Sequence, residues 1–220
     1  MTLKMPEKLY FELPTDKWDM EIPENSPLNY EVEVAVYKWN SDIAVMIIVW
    51  KWGSTEWYSN KYVTIWNNLV KDHWVNVFVV ENPWISWDDP ELFIDCAMKF
   101  VDDKMKGFWY KNHKIYVMWY SAWWHFLWRF AHKYPEIVKM LLVNPVLSVD
   151  FFKLQKWLEA FNWKMTIVEW DKDVDFFFNP LLAPFKDKAN LVVLPWVDHV
   201  FSNEWWLETF IWLPEKYLFN

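Results

Sequence analysis

The stretch KIYVMWYSAWWHFLWRFAHKYPEIVKMLLVNP, residues 114–145, decides the fold of this chain. An apolar run over residues 115–118 is typical of a buried strand, and it leads into a sharp turn that carries Ser121. A helix is expected over residues 122–133. After a break at a Tyr-Pro-Glu sequence, a second apolar run over residues 138–143 ends at an Asn-Pro pair. The pattern therefore predicts a strand, a serine turn, a helix and a further strand.

Residues 119–123, Trp-Tyr-Ser-Ala-Trp, lie where a strand passes into a helix. This layout resembles the nucleophile elbow of the α/β-hydrolase family, which has the motif G-x-S-x-G. Three further segments are similar to loops of that family: VWKWGS (49–54) to H-G-x-G-G-S, NPWISW (82–87) to P-G-x-G, and PWVDH (195–199) to P-G-x-x-H. In each segment tryptophan stands where the family has glycine.

The exchange of glycine for tryptophan extends over the whole chain, which has 2 Gly and 21 Trp. Average composition would give roughly 15 Gly in a chain of this length. Glycine is needed where φ is positive or backbones approach closely, and a bulky residue there costs about 1–3 kcal/mol in strain. Several such sites would consume the roughly 5–15 kcal/mol by which a domain is stable.

We therefore hypothesise that many of the tryptophans stand where the natural molecule has glycine, through a gene in which UGA encodes glycine. A deliberately substituted or designed chain is the alternative, and in that case the elbow is expected to be broken. The codons at positions 119 and 123 distinguish the two hypotheses. UGG at both positions would refute the hypothesis that the natural molecule has glycine there.

Strand and helix patterns alternate along the rest of the chain. Alternating polarity predicts half-solvated strands over residues 8–13 and 30–38. Further strands are expected over 43–49, 75–80, 164–168 and 189–194, and helices over 61–71, from 88 onward, over 150–161 and over 204–217. A loop is expected over residues 169–180. The alternation predicts an α/β fold: a mostly parallel central sheet with an antiparallel N-terminal edge and helices on both faces.

The resemblance implies one α/β-hydrolase domain over residues 1–220. Family members often carry a lid inserted after the strand that ends here at Asn144. Residues 145–163 are all that separate this strand from the next, so no lid domain is expected.

Composition narrows the class of protein. A net charge of −8 argues against nucleic-acid binding, and the lone Cys96, in an expected helix, excludes a disulfide framework and suggests a packing residue. The first twenty residues do not have the pattern of a signal peptide, and no apolar run reaches 18 residues. A cytoplasmic protein with no membrane partner and no cofactor is therefore expected. Its oligomeric state is left open.

Three polar residues follow three different strands in the order Ser121, Asp173, His199. This is the chain order of the α/β-hydrolase triad. The resemblance implies that Ser121 is the nucleophile, His199 the general base and Asp173 the acid that orients the imidazole. Asp171 and Asp175 compete for the last role, and the family spacing G-x-x-D, with tryptophan in the place of glycine, selects Asp173.

The resemblance also implies an oxyanion hole made by the backbone N–H groups of Lys51 and Ala122. A small-molecule acyl substrate, an ester, thioester or amide, would be cleaved through an acyl-enzyme on Ser121. Simpler readings remain: Ser121 as a helix N-cap and the aspartates as exposed turn residues. Two functional alternatives also remain, a catalytically silent hydrolase-like binding domain and an acyltransferase with the same triad. The sequence shows neither metal-ligand spacing such as H-E-x-x-H nor a phosphate-binding loop.

Overall fold

The computed structural model describes residues 5–12, 29–49, 57–81, 90–120, 131–145, 164–197 and 204–220. Within these ranges one sheet is formed by the strands β1 Met5–Glu12, β2 Asn29–Tyr37, β3 Ile43–Ile48, β4 Asn76–Val80, β5 Lys114–Tyr120, β6 Ile137–Val143, β7 Lys164–Trp170 and β8 Ala189–Leu194. The helices are α1 Trp57–His73, α2 Pro90–Gly107 and α3 Glu204–Pro214. A 3₁₀-helical segment covers Val174–Phe185, and a π-helical turn follows α3 at Glu215–Phe219.

The strands are arranged in the order β1-β2-β4-β3-β5-β6-β7-β8. β1 pairs with β2, and β2 with β4, in antiparallel fashion, whereas the pairs from β4 to β8 are parallel. The predicted sheet, mostly parallel with an antiparallel N-terminal edge, is therefore confirmed. Because parallel strands end at the same edge, the residues after β3, β5, β6, β7 and β8 share one side of the molecule.

Helices cover both faces of the sheet, as the sequence pattern predicted. On one face, Phe93 and Val101 of α2 belong to the same apolar cluster as Val117 of β5. On the other face, Tyr62 of α1 and Phe210 of α3 pack in a second cluster. Successive side chains of a strand point to opposite faces, so the central strands must be apolar at nearly every position.

The loop expected over residues 169–180 needs correction. β7 extends through Glu169 and Trp170, which were expected in a loop, because Glu169 pairs with Val193 and Trp170 with Leu194 of β8. The rest of that expected loop is largely 3₁₀-helical. The helix expected over residues 122–133 lies outside the described residues up to 130, and the helix expected over 150–161 lies wholly outside them.

Cys96 lies in α2 and is half-buried, which agrees with the expectation of a packing residue. In the described ranges, no helix combines the length and the apolar character needed to cross a bilayer.

Candidate active site

The candidate site lies at the sheet edge formed by the carboxyl ends of the parallel strands. Of the residues expected to act there, Asp173 falls within the described part of the chain. Ser121, Ala122, Lys51 and His199 lie outside it. The structure therefore describes the acid and the strand ends beside the other expected groups.

The register of the sheet fixes those strand ends. Tyr120, the residue before Ser121, pairs with Val143 of β6, and Val143 pairs with Val168 of β7. Val49, two residues before Lys51, donates its N–H to the carbonyl of Val80 at 3.1 Å. Since adjacent strands lie about 4.8 Å apart, the ends of β5 and β7 are roughly 10 Å from each other.

Asp173 lies three residues beyond β7 and is only 7% exposed. Its N–H donates to the carbonyl of Trp170 at 3.0 Å, and its own carbonyl accepts the N–H of Phe176 at 3.2 Å. Its carboxylate oxygen Oδ2 accepts the Nδ2–H of Asn144 at 2.5 Å. A buried carboxylate needs such donors, because burial without them is costly. The fold thus holds this acid in a defined position.

Asn144 directly follows β6 and is also buried. Its φ of 48° lies in the left-handed region, which asparagine adopts more readily than most residues. Its N–H donates to the carbonyl of Val168 at 2.6 Å, which ties it to β7. Reasoning from the sequence treated Asn144 as a strand end and missed its contact with Asp173. The Asn-Pro pair was the available signal, since it ends an apolar run with a polar residue.

Glu169, the second-last residue of β7, is 3% exposed. Burial raises the pKa of its carboxyl to about 8, and the negative charge of Asp173 adds to this effect. Among the described residues, its oxygen Oε2 has no hydrogen-bond partner. Burial therefore favours the protonated form of Glu169, which lies close to Asp173.

Asp171, the competing acid, serves a different purpose. Its oxygen Oδ1 accepts the N–H of Trp196 at 2.6 Å, and its own N–H donates to the carbonyl of Leu194 at 3.3 Å. Lys172 donates its N–H to the carbonyl of Val197, two residues before His199, at 3.2 Å. These bonds join the segments that follow β7 and β8. The geometry gives Asp171 a turn-bonding role, and of these two aspartates Asp173 is the buried one.

Three of the tryptophans in the family's glycine positions, Trp119, Trp170 and Trp196, lie within the described residues. Trp119 and Trp170 are 1% and 0% exposed and belong to the core. The indole N–H of Trp119 has no partner among the described residues, and such a buried donor costs about 1–3 kcal/mol. Trp196 has a φ of 66°, and two tryptophans outside the motifs share the left-handed conformation, Trp74 at 56° and Trp109 at 76°.

Lys61 of α1 is a buried cation next to the end of β5, and reasoning from the sequence missed it. Its Nζ lies 4.5 Å from the ring centre of Tyr120, 4.6 Å from that of Phe210 and 5.1 Å from that of Tyr62. Burial lowers the pKa of its amine to about 7. Nothing in the local sequence sets this lysine apart, because its burial arises from packing between α1, β5 and α3.

Comparisons with known proteins bear on the fold. No family model and no curated protein matches the chain. Est1E from Butyrivibrio proteoclasticus matches with a TM-score of 0.64 and 12% identity over 86% of this chain and 93% of that one. The esterase PF2001 of Pyrococcus furiosus matches with a TM-score of 0.65 and 12% identity over 98% of this chain and 91% of that one.

A third solved structure, described as an alpha-beta serine hydrolase homologue from Coxiella burnetii, matches with a TM-score of 0.60. Its identity is 13%, over 83% of this chain and 89% of that one. At such low identity the likeness concerns the backbone arrangement. Together with the strand order and the parallel register, it shows that the fold of this chain is that of the α/β-hydrolase family.

Proposed function

We propose that this chain is a serine hydrolase that cleaves a small ester, thioester or amide through an acyl-enzyme on Ser121. One observation carries the proposal: Asp173 is buried and bound by an amide at the sheet edge toward which β5 leads the chain into Ser121. Two of the matching solved structures are an esterase and a serine hydrolase homologue by their descriptions, which supports the same reaction class.

In this mechanism the hydroxyl of Ser121 attacks the acyl carbon while the imidazole of His199 takes its proton. The Asp173 carboxylate holds the imidazole in the required tautomer and stabilises the imidazolium that forms. The imidazolium then protonates the leaving group, and a water activated by the same base releases the acyl group. The roughly 10 Å between the ends of β5 and β7 suits an acid–imidazole–hydroxyl series.

The negative charge on the tetrahedral intermediate requires preorganised donors. We assign this role to the backbone N–H groups of Lys51 and Ala122. The strand order supports the assignment, because β3, which precedes Lys51, pairs directly with β5, which precedes Ala122. Backbone donors from two adjacent strand ends can converge on one oxyanion.

Fluorophosphonate labelling tests the proposal. The chain as printed and a variant with Trp119→Gly and Trp123→Gly are each treated with the probe, and the labelled residue is identified by mass spectrometry. We expect labelling of the glycine variant at Ser121 and none after Ser121→Ala. A folded glycine variant that takes up no label would contradict the proposal. Chromogenic esters of increasing acyl length would then define the substrate.

A catalytically silent binding domain is the second candidate, and the packing of Trp119 favours it for the chain as printed. This side chain occupies the first glycine position of the elbow, is 1% exposed and belongs to the α2-side core. If tryptophan is the natural residue, neither form should react with the probe. The gene sequence separates the cases independently, because UGA codons at 119 and 123 would support glycine in the natural molecule.

A further inference from the structure

Two buried carboxyl groups and one buried amide lie near the carboxyl ends of β6 and β7. Val143 and Val168 are register partners, and the residues that directly follow them are Asn144 and Glu169. Asp173 lies four residues further along, and its carboxylate accepts the Asn144 amide at 2.5 Å. All three polar side chains are at least nine-tenths buried. The proposed triad gives a role to Asp173 alone and leaves the other two unexplained.

Two neighbouring carboxyls in a buried place do not both ionise readily, because the like charges repel and neither is fully hydrated. The hydrogen-bond donors and the burial around each carboxyl group therefore determine whether Asp173 or Glu169 carries the charge. An amide NH₂ group only donates hydrogen bonds, so it favours a carboxyl oxygen that is an anion. Asn144 donates to Asp173. Glu169 is the carboxyl whose protonated form the surroundings favour.

We propose that Asn144 and Glu169 are positioning residues for the catalytic acid: the Asn144 amide selects Asp173 as the anion of the pair, and Glu169 stays a neutral acid beside it. The inference rests on the proposed function, in which Asp173 orients His199. An ionised Glu169 would place a second negative charge close to Asp173. A neutral Glu169 leaves Asp173 as the charged member of this pair of carboxyl groups.

The left-handed backbone of Asn144 makes a clean variant available. Asn144→Gly keeps access to a φ of 48° while removing the amide. Asn76→Ala is the matched control, since Asn76 is a buried amide at the opposite end of the sheet. Its Nδ2 donates to the carbonyls of Ser41 at 2.7 Å and Ile43 at 3.2 Å. Both substitutions should lower the unfolding temperature.

Carboxyl titration of the full chain by carbon-13 NMR is the deciding readout, because it requires no turnover. In the unsubstituted chain we expect Asp173 to lose its proton at lower pH than Glu169. In Asn144→Gly the Asp173 transition should move upward by about one pH unit or more, since a hydrogen bond to an anion has been removed. Asn76→Ala should leave both transitions in place. Unchanged transitions in Asn144→Gly, or ionisation of Glu169 first, would overturn the proposal.

Activity measurements keep this inference separate from the proposed function. In the glycine-containing elbow variant, Asn144→Gly should lower kcat by about 10–100-fold, as is found for residues that hydrogen-bond to the ligands of catalytic metals, with little change in KM. Glu169→Gln, which is permanently neutral, should retain activity. If Glu169→Gln abolishes activity while Asp173→Asn does not, the roles are reversed and the proposal fails. Absent labelling at Ser121 would refute the hydrolase function and leave the titration result intact.

Discussion

The ammonium nitrogen of Lys61 lies 4.5 Å from the centre of the Tyr120 ring, so a cation is buried directly behind the last residue of β5. Burial lowers its pKa from 10.5 to about 7. Between these values the unfolded chain binds a proton that the folded chain has released, so stability rises with pH across this window. The aromatic rings around the cation offset part of the burial cost.

Lys61→Met should therefore raise the free energy of unfolding at and below pH 7. The free energy of unfolding of this variant should no longer rise between pH 7 and 10.5. Urea unfolding at a series of pH values measures both effects. Lys71→Met, on an exposed position of the same helix, is the control and should change neither. A Lys61→Met chain that keeps the slope of the unsubstituted chain would contradict the assignment.

Glu169 should give the unsubstituted chain a pH dependence of stability opposite in sign to that of Lys61 and in a lower pH range, and Glu169→Gln should remove it. The folded chain keeps the Glu169 proton up to about pH 8, whereas the unfolded chain loses it near 4.5. Stability conferred by the protonated form is complete below pH 4.5 and declines as pH rises toward 8. The glutamine variant should lack this decline, which amounts to at most about 5 kcal/mol. Thermal unfolding of both chains between pH 4 and 9 provides the test. If stability declines equally with pH in the unsubstituted chain and in Glu169→Gln, the prediction is refuted.

Trp109→Gly should stabilise the chain. Trp109 is 90% exposed with a φ of 76°, so its side chain gains little by packing while its backbone is strained. Relief of a left-handed conformation is worth about 1–2 kcal/mol, and the greater freedom of glycine in the unfolded chain offsets part of it. Trp212→Gly is the contrasting variant, because the half-exposed Trp212 lies within α3. That change should destabilise by about 1 kcal/mol, and a similar loss in Trp109→Gly would contradict the prediction.

Asp173→Asn should lower kcat by about 10³–10⁴-fold in the glycine-containing elbow variant, because asparagine favours the wrong imidazole tautomer. Asp171→Asn is the matched control. Its side-chain oxygen can still accept the Trp196 N–H, so kcat should change little. Ester hydrolysis at saturating substrate measures both. A large loss in Asp171→Asn together with full activity in Asp173→Asn would move the catalytic acid to residue 171.

The sheet could be predicted from the sequence because burial on two faces requires apolar residues throughout a strand. The runs that became β3 and β4 meet this condition at nearly every position. The end of β7 could not be predicted in this way. Glu169 interrupts the apolar run, and what keeps it in the strand is its pairing with Val193, 24 residues away, which no local pattern encodes.

The same distinction between local patterns and long-range contacts applies to the residues of the candidate site. Asp173 was selected because residues 170–173 resemble the family's G-x-x-D spacing, which is a local property of the sequence. The importance of Asn144 and Lys61 depends on contacts across the fold: Asn144 is separated from Asp173 by 29 residues, and Lys61 is buried between elements distant in sequence. Asparagine and lysine are ordinary residues at helix and strand ends, so their roles become visible only when the elements are packed together.

Asn144 directly follows β6 and Asp173 lies three residues beyond β7, where its N–H is bound to the carbonyl of Trp170. The pairing of these two strands is fixed at Val143 and Val168. The separation of Asn144 and Asp173 is therefore inherited from the sheet. Insertions or deletions in the sequence between β6 and β7 would leave this spacing unaltered as long as Val143 stays paired with Val168. Removal of one residue inside β6 would instead turn the following side chains to the opposite face and separate the pair. Changes of length are therefore tolerated in the connections of this fold far better than in its strands, in natural and in engineered variants alike.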